Sequence, residues 1–201
     1  MKKLYLLLTC ALVSVLAGCA SYQANSLSAL KAEYVKTYGK LEDLRIGCKA
    51  YTTSDCLTYL GRDVLAQGYQ PVQLTFYNQG DQEYFFSSKQ LTLSCVSPSE
   101  VAQTVYTSTV GRVTGYTVGG LLLFPPLLIP AVVDGIRSSQ ANARLIEDFL
   151  EKGKDHFSIP PYCFRTTIIF VRKANYTPAF ELSLINQKTR QTERIPIFAT
   201  Q

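Results

Sequence analysis

Val72, Leu74 and Phe76 alternate with Gln73, Thr75 and Tyr77, and the same period of two recurs at Leu91-Leu93-Cys95, Phe180-Leu182-Leu184 and Ile195-Ile197. Successive side chains of a strand point to opposite faces, so each stretch reads as a half-buried strand with one apolar face. Tyr84 to Ser88 and Phe164 to Arg172 add strand material. The second of these is so apolar through Ile168-Ile169-Phe170-Val171 that both of its faces need cover. Two or three strands precede a helical stretch and three follow it. Runs of strands, rather than alternating strand and helix, predict an α+β chain with an antiparallel β-sandwich-like core. A lone sheet with helices on one face is the other arrangement this order allows. Short turns at Asn175-Tyr-Thr-Pro178 and at Asn186 to Arg190 make the last three strands read as a meander.

The chain starts with a different pattern. Lys2 and Lys3 precede an apolar run from Leu4 to Leu16, and Ala17, Gly18 and Cys19 follow. Charge, apolar run and small residues in that order form a secretory signal, over residues 1–18. The run is shorter than the roughly 20 residues a membrane span needs. Its ending, Leu16-Ala17-Gly18-Cys19, resembles the lipobox of bacterial lipoproteins. The resemblance implies cleavage before Cys19, diacylglycerol on its sulfur and an acyl group on its nitrogen. One acyl chain holds a protein only marginally, and three hold it in effect permanently. In enteric bacteria an aspartate after the lipidated cysteine resembles a signal for retention in the inner membrane. Ala20-Ser21 stand there instead, which implies sorting to the outer membrane without fixing the leaflet; the expected placement is lipid-anchored and facing the periplasm.

Without residues 1–18 the chain keeps 183 of its 201 residues, a length suited to one domain with an appended subdomain. Loss of Lys2 and Lys3 lowers Lys+Arg from 20 to 18 against 15 acids. So small and scattered a positive excess is not the footprint of a nucleic-acid binder. Six cysteines become four once Cys10 leaves and Cys19 carries lipid. Cys48, Cys56, Cys95 and Cys163 are an even number in an oxidising compartment, where disulfides form. Four cysteines allow three connectivities. Cys48–Cys56, closing a small loop, and Cys95–Cys163, joining distant strands, are the favoured pairs. Their wide spacing and the single histidine, His156, argue against a metal site.

Residues 19–26 read as a lipidated tether and 27–68 as a helical hairpin. Leu27, Leu30, Tyr34, Leu41 and Leu44 recur at helical spacing, and Gly47 can end that helix. Cys48 to Cys56 reads as a polar turn. Thr53 or Ser54 can cap a second helix carrying Leu57, Leu60 and Val64, with Gly68 as its stop. Ser28-Ala-Leu-Lys31 matches the S-x-x-K pattern of serine acyl enzymes, but the S-D-N and K-T-G elements that accompany it are missing from the sequence.

Residues 69–201 form the β-rich domain, with a helical insertion over about 97–153. Ser97-Pro98-Ser99-Glu100 has the form of a capping box with proline at the first helical position. Gly111, Gly115 and Gly119 follow at four-residue spacing, and Tyr116 to Val133 carries no charge. Small residues at this spacing let helices approach closely in membranes. Pro125, Pro126 and Pro130 interrupt the run, so one clean transmembrane helix does not fit. Gly111, Gly115, Gly119, Leu121, Leu122, Leu123, Phe124, Leu127, Leu128 and Ile129 are the candidate contact residues. They would pack over the sheet, dip into a membrane or join copies of the chain. An uncovered apolar patch of that size is unusual on a monomer. Leu145, Ile146, Phe149 and Leu150 stripe the next helix, Asp148 and Lys152 form an i,i+4 pair on it, and Gly153 fits its stop.

Val133-Asp-Gly-Ile136 and Ser138-Ser-Gln-Ala-Asn142, between a strand pair and a terminal β region, resemble a stretch of uncharacterised Gram-negative envelope lipoproteins. That resemblance implies no activity. His156, between Asp155 and Phe157 at a helix-to-strand junction, reads as a surface residue rather than a general base. The expected function is therefore a non-enzymatic binding or scaffolding role in the cell envelope, without catalytic residues, metal or cofactor. The membrane, through the lipid on Cys19, and another envelope protein are the expected partners. The alternative is a membrane-active or oligomerising protein that uses residues 111–133.

Overall fold

The computed structural model describes residues 21–37, 43–106 and 128–200, with side chains from Ser138 onward in the last span. The chain divides into two compact units, Met1–Tyr22 with Tyr106–Leu145, and Gln23–Val105 with Ile146–Gln201. Most of the first unit lies outside the described residues, apart from the start of one helix. The second unit holds both sheets.

The described residues are mixed α+β, with two antiparallel sheets and three α-helices. The strands are β1 (Val35–Thr37), β2 (Leu44–Ala50), β3 (Tyr69–Asn78), β4 (Tyr84–Ser87), β5 (Cys95–Val96), β6 (His156–Ile159), β7 (Phe164–Arg172), β8 (Ala179–Asn186) and β9 (Thr192–Phe198). The helices are α1 (Thr53–Leu60), α2 (Pro98–Thr104) and α3 (Leu128–Lys152). Sheet A runs β1-β2-β3-β7-β5 and sheet B runs β6-β4-β8-β9. One core cluster takes side chains from both sheets, including Ile46, Leu74, Phe76 and Val171 from sheet A and Phe86, Leu182, Leu184 and Ile195 from sheet B. Phe76 and Phe86 of this core meet the partly buried Phe157 packed against it, with ring centroids 5.0 to 5.9 Å apart. Such tilted and edge-on pairs add to the burial of the rings themselves.

The alternating stretches form strands as the pattern requires. Leu91 and Leu93 are buried and Cys95 packs against the same core. Ile168 to Val171 are buried on both faces of β7. On its outer face Phe170 stacks on Phe149 of α3, centroids 5.5 Å apart and planes 5° from parallel. Pro196 stands in β9, at the edge of sheet B. The bonds Asn186 N→Gln191 O and Ala199 N→Pro178 O set the pairing parity, which turns the nitrogen of Pro196 away from β8. No ladder bond is lost there, and the open edge has one donor fewer.

Several expectations are corrected. The described part of the first hairpin helix is extended chain, a 3-10 turn at Ala32–Tyr34, then β1 and β2. Residues 38–42 lie outside the described residues. The helical spacing from Leu27 to Leu44 competes with a tighter alternation, in which Leu44, Ile46, Cys48 and Ala50 all enter the core. Gly47 therefore lies within a strand instead of ending a helix. α1 starts at Thr53, but its cap is Thr52, whose side chain accepts from the Asp55 N–H while Asp55 accepts from the Thr52 N–H. It stops at Gly61, in the left-handed conformation at φ 61°, so Val64 lies beyond the helix. Gly68, at φ 84°, ends a short 3-10 turn instead.

In α2, Pro98 takes the first turn, but the Ser97 hydroxyl bonds that of Ser99, and Glu100 reaches Arg172 at 3.0 Å. The meander fails at its first joint, because β7 belongs to sheet A and β8 to sheet B. The 3-10 turn Lys173–Asn175 and the segment to Pro178 carry the chain from one sheet to the other. His156 to Ile159 form β6, paired antiparallel with β4.

Candidate functional site

Sheet A places Gln73, Thr75 and Tyr77 of β3 and Thr166 of β7 on the face turned away from the core. Tyr51 Oη donates to Gln73 Oε1 at 2.8 Å, Gln73 Nε2 donates to Thr166 Oγ1 at 3.1 Å, and the Thr75 and Thr166 hydroxyls lie 3.0 Å apart. Buried polar groups need partners, and these supply one another. Burial pushes the Tyr51 hydroxyl well above the usual tyrosine range, so it stays a donor.

An N-terminal strap lies on this face. The Asn25 N–H donates to the Thr58 carbonyl at 2.9 Å. Gln73 Nε2 donates to the Ser28 carbonyl at 2.7 Å, the Leu30 N–H donates to Thr75 Oγ1 at 3.2 Å, and Tyr77 Oη donates to the Leu30 carbonyl at 2.5 Å. Leu30 is the buried residue of the strap. It fits because β2 has glycine beneath it: a Cβ on Gly47 would stand 3.3 Å from Leu30 Cβ and 3.2 Å from Val35 Cγ2. A run of polar residues is thus tied down mainly through its backbone.

Beside the strap a groove of about 480 Å³ is lined by Ala24, Ser26, Leu27, Phe157, Thr166 and a charged wall of Asp148, Glu151, Lys152, Lys154 and Arg165. The expected pair on α3 is present, with Lys152 Nζ 2.7 Å from Asp148 Oδ2. Lys152 is buried and also donates to the Tyr59 carbonyl at 2.7 Å, which ties the end of α3 to α1. Its ammonium thus makes two structural bonds, one to α1 and one within α3.

The sequence candidates fall as follows. Cys19, Gly111, Gly115, Gly119, Leu121, Leu122, Leu123, Phe124 and Leu127 lie outside the described residues, and Leu128 and Ile129 open α3. No disulfide links any of Cys48, Cys56, Cys95 and Cys163, which differs from both expected pairs. Cys95 is opposite Val171 near one end of β7, whereas Cys163 precedes Phe164 at the other. At about 3.3 Å per residue, eight residues separate them by roughly 26 Å, far beyond the ~7 Å limit between bridged Cα atoms. Cys48 faces the core between the sheets, and Cys56 is buried on α1 outside that cluster. Burial holds the Cys56 thiol up at about 11 and that of Cys95 at about 12, so both stay protonated at neutral pH.

His156 is exposed in β6, its ring 6.3 Å from that of Phe85. Ser28 and Lys31 are exposed on the strap and form no nucleophile–base pair. Among the described residues no group of three His, Cys, Asp or Glu side chains could hold a metal ion, and no helix is long and apolar enough to cross a membrane. The strap was not legible beforehand, because its polar residues read as a loose tether. The polar row Gln73-Thr75-Tyr77, with hydroxyls and an amide at every second position, is the signal that could have marked a covered face. In comparisons with protein-family models, curated proteins and solved structures, the chain matches none.

Proposed function

We propose that this chain is a lipid-anchored lipoprotein of a Gram-negative cell envelope, held in the outer membrane by Cys19 and facing the periplasm. Its two sheets form a sandwich-like core that serves as a non-enzymatic binding or scaffolding module for another envelope protein. The observation that carries this reading is the order Lys2-Lys3, Leu4 to Leu16, Ala17-Gly18-Cys19. A charged start, a short apolar run and small residues before a cysteine are what export and lipid attachment require. The strap supports it, because a chain fixed from Asn25 onward passes any anchoring force directly to sheet A. The placement of His156 against Phe85 and of Ser28 on the strap supports a structural use of those residues. Crosslinking in intact cells followed by purification of the lipidated protein tests the scaffold role. A reproducible envelope protein partner is expected, and none at all would contradict it.

A second reading is favoured by the eighteen uncharged residues from Tyr116 to Val133. In it, residues 111–133 act on or within a membrane. A Cys19→Ser form that binds liposomes would support it, and failure to bind would exclude it.

A further inference from the structure

We infer that the exposed face of α1 is the surface this protein turns toward the lipid bilayer. The inference rests on the lipid anchor proposed above. Near the start of the described chain the N–H of Asn25 is held by the Thr58 carbonyl of α1. Asn25 is six residue steps along the chain from Cys19. A fully extended chain spans at most about 3.5 Å per residue, so the lipidated cysteine lies within roughly 21 Å of Asn25. Three more bonds, to Ser28 and to both backbone groups of Leu30, keep this leash from lengthening. If the strap were loose, β2 would be the first strand able to hold the chain firmly. Its start, Leu44, would allow a reach of roughly 85 Å.

The surface at this exit suits a headgroup layer. Thr53, Ser54, Leu57 and Thr58 are the exposed residues of α1, and none is charged. They recur at positions that share one side of a helix. Asp55, the only acid in the helix, is turned into an ion pair with Lys49 at 2.7 Å. Leu57 keeps 54% of its surface exposed. A lone exposed leucine is ordinary on any protein. Here it stands on an uncharged face beside the point where the anchor leaves, so contact with lipid removes apolar surface from water without burying an unpaired charge. The bilayer is therefore the occupant of this face.

Cys163 marks the opposite end. The strap runs from Thr58 past Gln73 to Tyr77, and Cys163 bonds Asn78 just beyond, its carbonyl accepting from the Asn78 N–H at 2.9 Å. Val72, level with the end of β2, and Asn78 are six residues apart along β3, or roughly 20 Å. Cys163 is exposed, whereas Cys48 and Cys56 are buried. A donor dye can thus be placed on native Cys163, or on Leu57→Cys or Ser54→Cys in a Cys163→Ser background. The full-length lipidated protein is reconstituted into phosphatidylethanolamine–phosphatidylglycerol vesicles that carry an acceptor dye on the headgroups. At least twofold greater energy transfer is expected from positions 57 and 54 than from 163. Equal or greater transfer from Cys163, in protein that floats with the vesicles, overturns the inference and leaves the anchor standing. Protein that does not float overturns both.

Discussion

The side-chain amide of Gln70 donates to the carbonyl of Tyr51 at 3.0 Å, taking the place of an N–H that Pro71 does not have. Tyr51 N donates to the Pro71 carbonyl at 2.9 Å, so the two residues face each other as a bonded pair between β2 and β3. In such a pair the bond is returned, and proline cannot return it. Gln70 is buried, and without it the Tyr51 carbonyl would have no donor from this strand.

Gln70→Met should therefore cost about 1 to 3 kcal/mol, the range for stranding a buried acceptor. Pro71→Ala restores an N–H at the right place, so the double variant should recover part of the loss. Urea unfolding of the two single variants and the double variant reads this coupling directly. Strictly additive effects would contradict the proposed substitution of one donor for another.

The strap should open as a unit. Tyr77→Phe removes the donor to the Leu30 carbonyl, a bond worth about 1 kcal/mol, which corresponds to roughly fivefold more of the open state. Gly47→Val should do more, because the added side chain enters space held by Leu30 and Val35. Hydrogen exchange at the Leu30 amide and proteolysis within residues 23–31 measure both variants. Exchange elsewhere in β3 should change little.

Much of this architecture could be read in advance. Val72, Leu74 and Phe76 announce β3, and Phe180 to Leu184 and Ile195-Ile197 announce β8 and β9, because alternation follows directly from the pleat. Proline at the start of α2 and Gly153 after α3 mark ends that sterics dictate; a Cβ on Gly153 would stand 2.6 Å from Pro98 Cγ. β2 was harder to see, because Leu30, Tyr34 and Leu44 also fit a helix, and only packing against β3 decides between the periods. The assignment of β7 and β8 to different sheets depends on long-range pairing that no local pattern encodes. The disulfides were misread for the same reason: an even count of cysteines carries no information on distance. The strap as a candidate site was hidden, since its bonds use backbone groups common to every residue.

The free thiols set a pH dependence. In the unfolded chain a cysteine ionises near pH 8.5 to 9. In the folded chain burial keeps the proton on Cys56 to about 11 and on Cys95 to about 12, the latter with help from Asp155. The folded state thus binds more protons than the unfolded state in this window. The two thiols' contribution to stability is fully present below the unfolded-state value, about pH 8.5, and is lost as pH rises from there through 11 to 12. The raised hydroxyls of Tyr51, Tyr84 and Tyr176 act in the same direction. Denaturant midpoints at pH 7, 9 and 10.5 should decline slightly over the first step and more steeply over the last, with a shallower decline in Cys95→Ala. A thiol reagent at pH 8 should modify Cys163 at once and the two buried thiols, Cys48 and Cys56, only on unfolding.

The central claim is that Cys19 carries the lipid that places this fold at a membrane. Its most direct test is the partition of wild type and Cys19→Ser between membrane and soluble fractions of the producing cell. Wild type is predicted in the membrane fraction and Cys19→Ser in the soluble periplasmic fraction, since no other residue is assigned to hold lipid covalently. Cys19→Ser that remains with the membrane as fully as wild type would contradict the account and turn attention to residues 111–133.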